Sequence, residues 1–152
     1  MENKRAPAFT LLNQRGEKVS LKQELEKHMV FLFFYPKDMT SGCTTESIGF
    51  SDRLKKFEKA GVKIFGVSAD SVDRHVKFCE KESLTVDLLS DESKKMIEKY
   101  GVWVEKSMYG KKYMGISRES FLIGQNGKVI KHWNKVKPVE HPQEVLEYIH
   151  SL

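Results

Sequence analysis

Apolar residues run unbroken over 29–35 (MVFLFFY) and stop at Pro36, the pattern of a strand buried on both faces. Residues 62–68 (VKIFGVS) repeat that pattern. Between the two runs Phe50, Leu54 and Phe57 recur at i, i+4 and i+7. That spacing predicts one amphipathic helix from Thr44 to a stop at Gly61. Val72, Val76 and Cys79 share a second helical face, capped by Asp70 or Ser71. Upstream, residues 8–12 predict a short strand, 13–16 a turn, and Ser20 a cap for a helix over 21–25. Downstream, 85–89 predict a strand, followed by a helix capped by Ser90 or Asp91 that runs to Tyr100 and ends at Gly101. The polar and aromatic stretch 102–117 predicts no regular element. Residues 119–123 and 128–133 flank Gly124-Gln125-Asn126-Gly127 as a β-hairpin. A last helix begins near His141-Pro142, with Val145, Ile149 and Leu152 on one face.

Strands alternate with helices for two thirds of the chain, and a hairpin and helix close it. This order predicts one α/β domain over residues 1–152, with parallel central strands and an antiparallel hairpin edge. The strand ending at Tyr35 then crosses right-handedly onto the strand starting at Val62. The stretch YPKDMTSGCTTE follows the carboxyl end of a central strand, where open α/β sheets place their sites.

Composition narrows the reading. Hydrophobic content of 39% and charged content of 31% suit a soluble globular protein. No run is long enough to span a membrane, and MENKRAPAF has no apolar stretch behind its charges, so neither anchor nor signal peptide is expected. Two cysteines make no disulfide scaffold and suit a reducing, cytoplasmic setting. The net charge of +5 is spread along the chain, which favours solvated lysine faces over nucleic-acid binding. The histidines His28, His75, His132, His141 and His150 show no metal-ligand spacing, and no cofactor motif is present.

Cys43 carries the candidate chemistry. It lies in the first turn of a helix, where free N–H groups and the positive end of the dipole favour an anion, and the thiolate is the nucleophilic form of cysteine. A small buried packing residue fits the same position.

Pro36, Thr40 and Cys43 form P-x-x-x-T-x-x-C after an apolar strand, a pattern that resembles the peroxiredoxins. The blocks YPKDMTSGCTTE, LLSDE, YGVW and ISRESFLIGQNGKV, in that order, are similar to the bacterioferritin-comigratory-protein, or peroxiredoxin Q, branch. The match covers the chain from about Ala6 onward. It implies a thioredoxin-like fold, a mixed central sheet flanked by helices, and a thiol-dependent peroxidase acting on hydrogen peroxide and organic hydroperoxides. Cys43 is then the nucleophile, Thr40 offers a hydroxyl able to bond both the thiolate and a peroxide oxygen, and Pro36 shields the sulfur from water. Among five arginines the resemblance selects Arg118 as the fixed positive charge. It makes Glu46 the carboxylate that steers Arg118, although an acid in a first helical turn is favourable in itself.

Two departures stand out. Ser41 replaces the proline often found before the Gly-Cys pair. Ile48 occupies the position five residues after the nucleophile where many members carry a second cysteine, so no short intrahelical disulfide can form. Cys79, 36 residues on, matches the resolving position of a subset of the branch, which implies a Cys43–Cys79 disulfide recycled by thioredoxin or a similar dithiol. Its place beside Val72 and Val76 also fits a packing residue, and the alternative is then an external thiol that resolves Cys43. The branch is commonly monomeric. A dithiol exchanger would need C-x-x-C, and Thr40 fills the first of those positions.

Overall fold

The computed structural model describes residues 1–152. In chain order its elements are β1 (Thr10–Leu12), β2 (Lys18–Ser20), α1 (Leu21–Leu25), β3 (Met29–Phe34), α2 (Ser41–Asp52), α3 (Leu54–Lys59), β4 (Val62–Ser68) and α4 (Val72–Glu82). β5 (Asp87–Ser90), α5 (Lys95–Lys99), β6 (Trp103–Met108), β7 (Lys111–Ile116), β8 (Glu119–Ile123), β9 (Val129–Trp133) and α6 (His141–His150) complete it. Seven strands form one sheet in the order β2-β1-β5-β4-β3-β8-β9. β3, β4 and β5 pair in parallel, while β8 joins β3, and β9 joins β8, antiparallel. The mixed α/β architecture is the expected one.

The unbroken apolar run of β3 has a direct cause. Val30, Leu32 and Phe34 point into one core layer, and Phe31, Phe33 and Tyr35 into the other. The first layer packs under α1 and α5, through Leu21, Leu25, Met96 and Ile97. The second holds Cys43 and Phe50 of α2, Phe57 of α3, Phe78 of α4, and Val145, Leu146 and Ile149 of α6. Cys43 therefore sits in a dry aromatic layer just beyond the end of β3.

The structure corrects several sequence expectations. The helix expected from Thr44 to Gly61 begins earlier, at Ser41, and breaks into α2 and α3. Arg53, at φ −107° and ψ 5°, leaves helical geometry at the break, and its guanidinium donates to Gly49 O at 2.9 Å. The stretch 102–117 is not irregular. It is a two-stranded sheet, β6 with β7, closed by Tyr109 at φ 52° and Gly110 at φ 76°. Positive φ at both central residues is the hairpin turn that matches strand twist. The turn expected at 13–16 is present, held by Asn13 Oδ1, which accepts from Arg15 N and Glu17 N at 3.0 Å each, but the three-residue strand β2 that it leads into was not expected. In α4 the buried stripe is His75 and Phe78, with Val72, Val76 and Cys79 half-buried beside it. Leu152 lies beyond α6 and is exposed, while Leu146 takes the buried place.

Candidate active site

α2 fixes the cysteine. Thr40 is its N-cap residue, at φ −87° and ψ 156°, but its side chain caps nothing. The hydroxyl donates backward to Lys37 O at 2.8 Å, on the exposed side of the turn, and not to Cys43 Sγ as the sequence led one to expect. The first intrahelical bond runs from Thr44 N to Thr40 O at 2.9 Å, so the N–H groups of Ser41, Gly42 and Cys43 have no partner in the chain. These donors and the helix dipole make the turn around Cys43 a place for negative charge.

Arg118 completes it from the loop between β7 and β8. Its Nη2 donates to Cys43 Sγ at 3.3 Å and its Nη1 to Glu46 Oε1 at 2.7 Å. Cys43 and Glu46 are both buried, three residues apart on one helical face, so one planar guanidinium spans both. Burial works against the Arg118 charge, but Glu46 and Cys43 outweigh it and hold the guanidinium above its ordinary range. Burial pushes the Glu46 carboxyl up to about 7, with Arg118 opposing. Glu46 Oε2 has no hydrogen-bond partner, which leaves Arg118 as the carboxyl's single polar anchor.

Gly42 is part of this geometry. A Cβ there would stand 3.1 Å from Arg118 Nη2 and 3.5 Å from Pro138 Cγ. The absent side chain gives the guanidinium its path to the sulfur. Pro36 is half-buried at the bend after β3, at the head of the loop leading to Thr40.

The structure thus brings Cys43, Glu46 and Arg118 into contact, with Thr40 and Pro36 on the adjoining loop. Cys79 stands apart. It is half-buried in α4, unbonded to Cys43, and its thiol is pushed up to about 11 by burial, with Asp38 and Asp87 adding to the shift. Three neighbours escaped the sequence reading. Gly42 had no signal beyond its place before Cys43. His141, with Nε2 2.8 Å from Ser120 Oγ, is buried, and its pKa is lowered to about 4 by burial and by Arg118. Lys106 donates from Nζ to Ile116 O; burial and Arg118 lower its ammonium pKa while Cys43 pulls the other way. Recognising the β6–β7 hairpin from Gly110 would have found Lys106. A surface cleft of about 650 Å³, lined among others by Ala6, Pro7, Leu21 and Leu25, contains none of these side chains.

The chain as a whole has counterparts among known proteins. The family described as AhpC/TSA matches residues 3–132. A protein named Peroxiredoxin Bcp from Bacillus subtilis is 44% identical over 148 residues, covering 97% of this chain and 94% of its own. The chain belongs to the AhpC/TSA family, among the Bcp peroxiredoxins. Another such peroxiredoxin, from Escherichia coli, is 42% identical over 144 residues, covering 95% of this chain and 92% of its own. The solved peroxiredoxin Q of Xanthomonas campestris superposes with a TM-score of 0.88 at 40% identity, covering 94% of this chain and 90% of that one. Structures of a Xanthomonas campestris bacterioferritin comigratory protein, 38% identical, address its alkyl peroxide reduction activity, and two further structures of the peroxiredoxin Q carry serine at one of two cysteines 36 positions apart. The fold is thioredoxin-like, and peroxiredoxins of this kind are thiol peroxidases. No helix is long and apolar enough to cross a membrane.

Proposed function

We propose that this peroxiredoxin reduces hydrogen peroxide and organic hydroperoxides through Cys43, and that Cys79 resolves the product. The carrying observation is the Arg118 fork, one guanidinium bonded to Cys43 Sγ and Glu46 Oε1 together. The Cys43 thiolate attacks the distal peroxide oxygen. The S–O bond forms as the O–O bond breaks, the sulfur loses two electrons, and the peroxide leaves as an alkoxide or hydroxide that takes up a proton. Charge moves from sulfur to the departing oxygen. Arg118 and the free N–H groups of the α2 start lie where both charges develop, so they serve the whole displacement. Thr40, its proton committed to Lys37 O, keeps lone pairs to accept a hydrogen bond from the peroxide O–H. Pro36 holds the loop and offers no N–H to water.

The Cys43 sulfenic acid must then meet a thiol before a second peroxide oxidises it irreversibly. Cys79 attacks Sγ of Cys43, the S–S bond forms, and the hydroxyl leaves as water with the Cys79 proton. Thioredoxin or a similar dithiol then reduces the disulfide. The 36-residue spacing supports this reading, because the two cysteines replaced in the Xanthomonas relative are spaced alike. The high Cys79 pKa fits a gated step, since unwinding removes the burial that protonates the thiol. The same half-buried, protonated state favours a second reading, in which Cys79 only packs and an external thiol resolves Cys43. Peroxide turnover with thioredoxin separates them: the two-cysteine cycle requires that Cys79→Ser stop turnover but keep one oxidation of Cys43. The reading extends to a cytoplasmic monomer that meets no nucleic acid or membrane. Sedimentation at increasing concentration tests the monomer.

A further inference from the structure

Three buried polar side chains join the Cys43 loop to the Cys79 helix. Tyr35, at the end of β3, donates from Oη to Asp38 Oδ1 at 2.6 Å. His75 of α4 meets Asp38 Oδ2 with Nδ1 at 2.6 Å, and its Nε2 meets Leu89 O at 3.0 Å. All three are buried. A carbonyl oxygen only accepts, so Nε2 carries a proton and donates it to Leu89 O. One further proton fills the gap between Nδ1 and Oδ2, whichever of the two atoms holds it. Burial and Asp38 keep the Tyr35 phenol neutral and hence a donor. No atom of the triad is left over, which is how a buried polar network stabilises one arrangement.

The main chain is tied in the same place. Asp38 N donates to Asp70 Oδ2 at 2.8 Å, and Arg74 of α4 donates from Nη2 to Asp38 O at 3.5 Å. Met39 follows at φ 65°, a left-handed conformation that a residue with a side chain adopts at a cost. The bonds of Asp38 hold the loop against that strain. Asp38 lies five residues before Cys43, and Cys79 one helical turn after His75. Unwinding either cysteine's turn toward the other pulls on the triad.

We infer that Tyr35, Asp38 and His75 form a clasp between the Cys43 loop and α4, and that its release sets how fast Cys79 captures the oxidised Cys43 before a second peroxide does. This rests on the reading of Cys79 as the resolving thiol. The three are positioning residues, because none touches the sulfur.

Asp38→Asn tests it while preserving shape. The amide can accept from Tyr35 and donate to His75 Nδ1, and Nε2 keeps Leu89 O, so an amide-to-imidazole bond replaces the short carboxyl–imidazole bond of 2.6 Å and weakens the clasp without emptying it. Rapid-quench mass spectrometry with one equivalent of peroxide follows Cys43 oxidation and then disulfide closure. The clasp predicts closure about tenfold faster, oxidation unchanged, and less sulfinic acid at excess peroxide. Unchanged closure, or equal loss of both steps, overturns it. Should Asp38→Asn not fold, Tyr35→Phe removes one hydroxyl and carries the same expectations. If the parent protein forms no disulfide, the resolving role of Cys79 falls instead. Hydrogen exchange of the reduced protein then judges the clasp alone: Asp38→Asn must speed exchange across 36–43 and 72–82 together, and a rise confined to the loop overturns the inference.

Discussion

Arg118 Nη2 lies 3.3 Å from Cys43 Sγ, joining a loop after β7 to the first turn of α2 across 75 residues of sequence. The same guanidinium is pinned by Glu46, so its position over the sulfur is set before any substrate arrives. Preorganised charge of this kind costs no rearrangement during reaction.

Arg118→Lys keeps the charge and loses the fork, because one ammonium cannot lie flat between Sγ and Oε1. The expected outcome is a fall of about 10²-fold in the rate of peroxide consumption, read by stopped flow. A loss below about threefold contradicts the role given to the planar fork.

Gly42→Ala separates stability from activity. Alanine favours the helix by about 1 kcal/mol, so thermal unfolding should not fall. The added Cβ, 3.1 Å from Nη2, must push the guanidinium off the sulfur by a few tenths of an ångström. Peroxide consumption should drop about tenfold with the melting temperature held or raised. Full activity in a folded Gly42→Ala protein contradicts the close approach.

Glu46 and His141 oppose one another in pH dependence. The Glu46 pKa rises from 4.5 to about 7 on folding, so its contribution is full below 4.5 and lost as pH rises through 7. The His141 pKa falls from 6.5 to about 4, so its contribution is full above 6.5 and lost as pH falls through 4. Each effect is about 3 kcal/mol, and between pH about 4.5 and 6.5 the two slopes cancel. Urea unfolding across that window should find Glu46→Gln gaining stability with pH and His141→Gln losing it. Parallel slopes in the two variants contradict these environments.

Cys79 should be a poor nucleophile until α4 opens. With its thiol at about 11, alkylation by iodoacetamide at pH 8 in Cys43→Ser should be at least about tenfold slower in the native than in the denatured protein. Equal rates contradict its burial and protonation.

Much of the fold was legible because long-range packing and local pattern agree. The run over 29–35 announces a two-faced central strand, and the Gly124–Gly127 turn announces the β8–β9 hairpin. Pattern failed where a few atoms decide. Arg53 splits one helical periodicity into two helices, and the β6–β7 hairpin, largely solvent-exposed, lacks the apolar alternation that marks half-buried strands. Cys43 was legible from its junction, whereas Arg118 came from the resemblance alone, since no spacing links residues 75 apart. Gly42 and His75 were hidden for another reason: one matters for a side chain it lacks, the other for partners from β5 and the loop between β3 and α2.

Intact-mass analysis after one equivalent of peroxide tests the central claim most directly. The account predicts that the protein loses two hydrogens, that Cys79→Ser instead gains one oxygen on the Cys43 peptide, and that Cys43→Ser neither changes mass nor consumes peroxide. Oxidation of Cys79 in Cys43→Ser at the parent rate would contradict it.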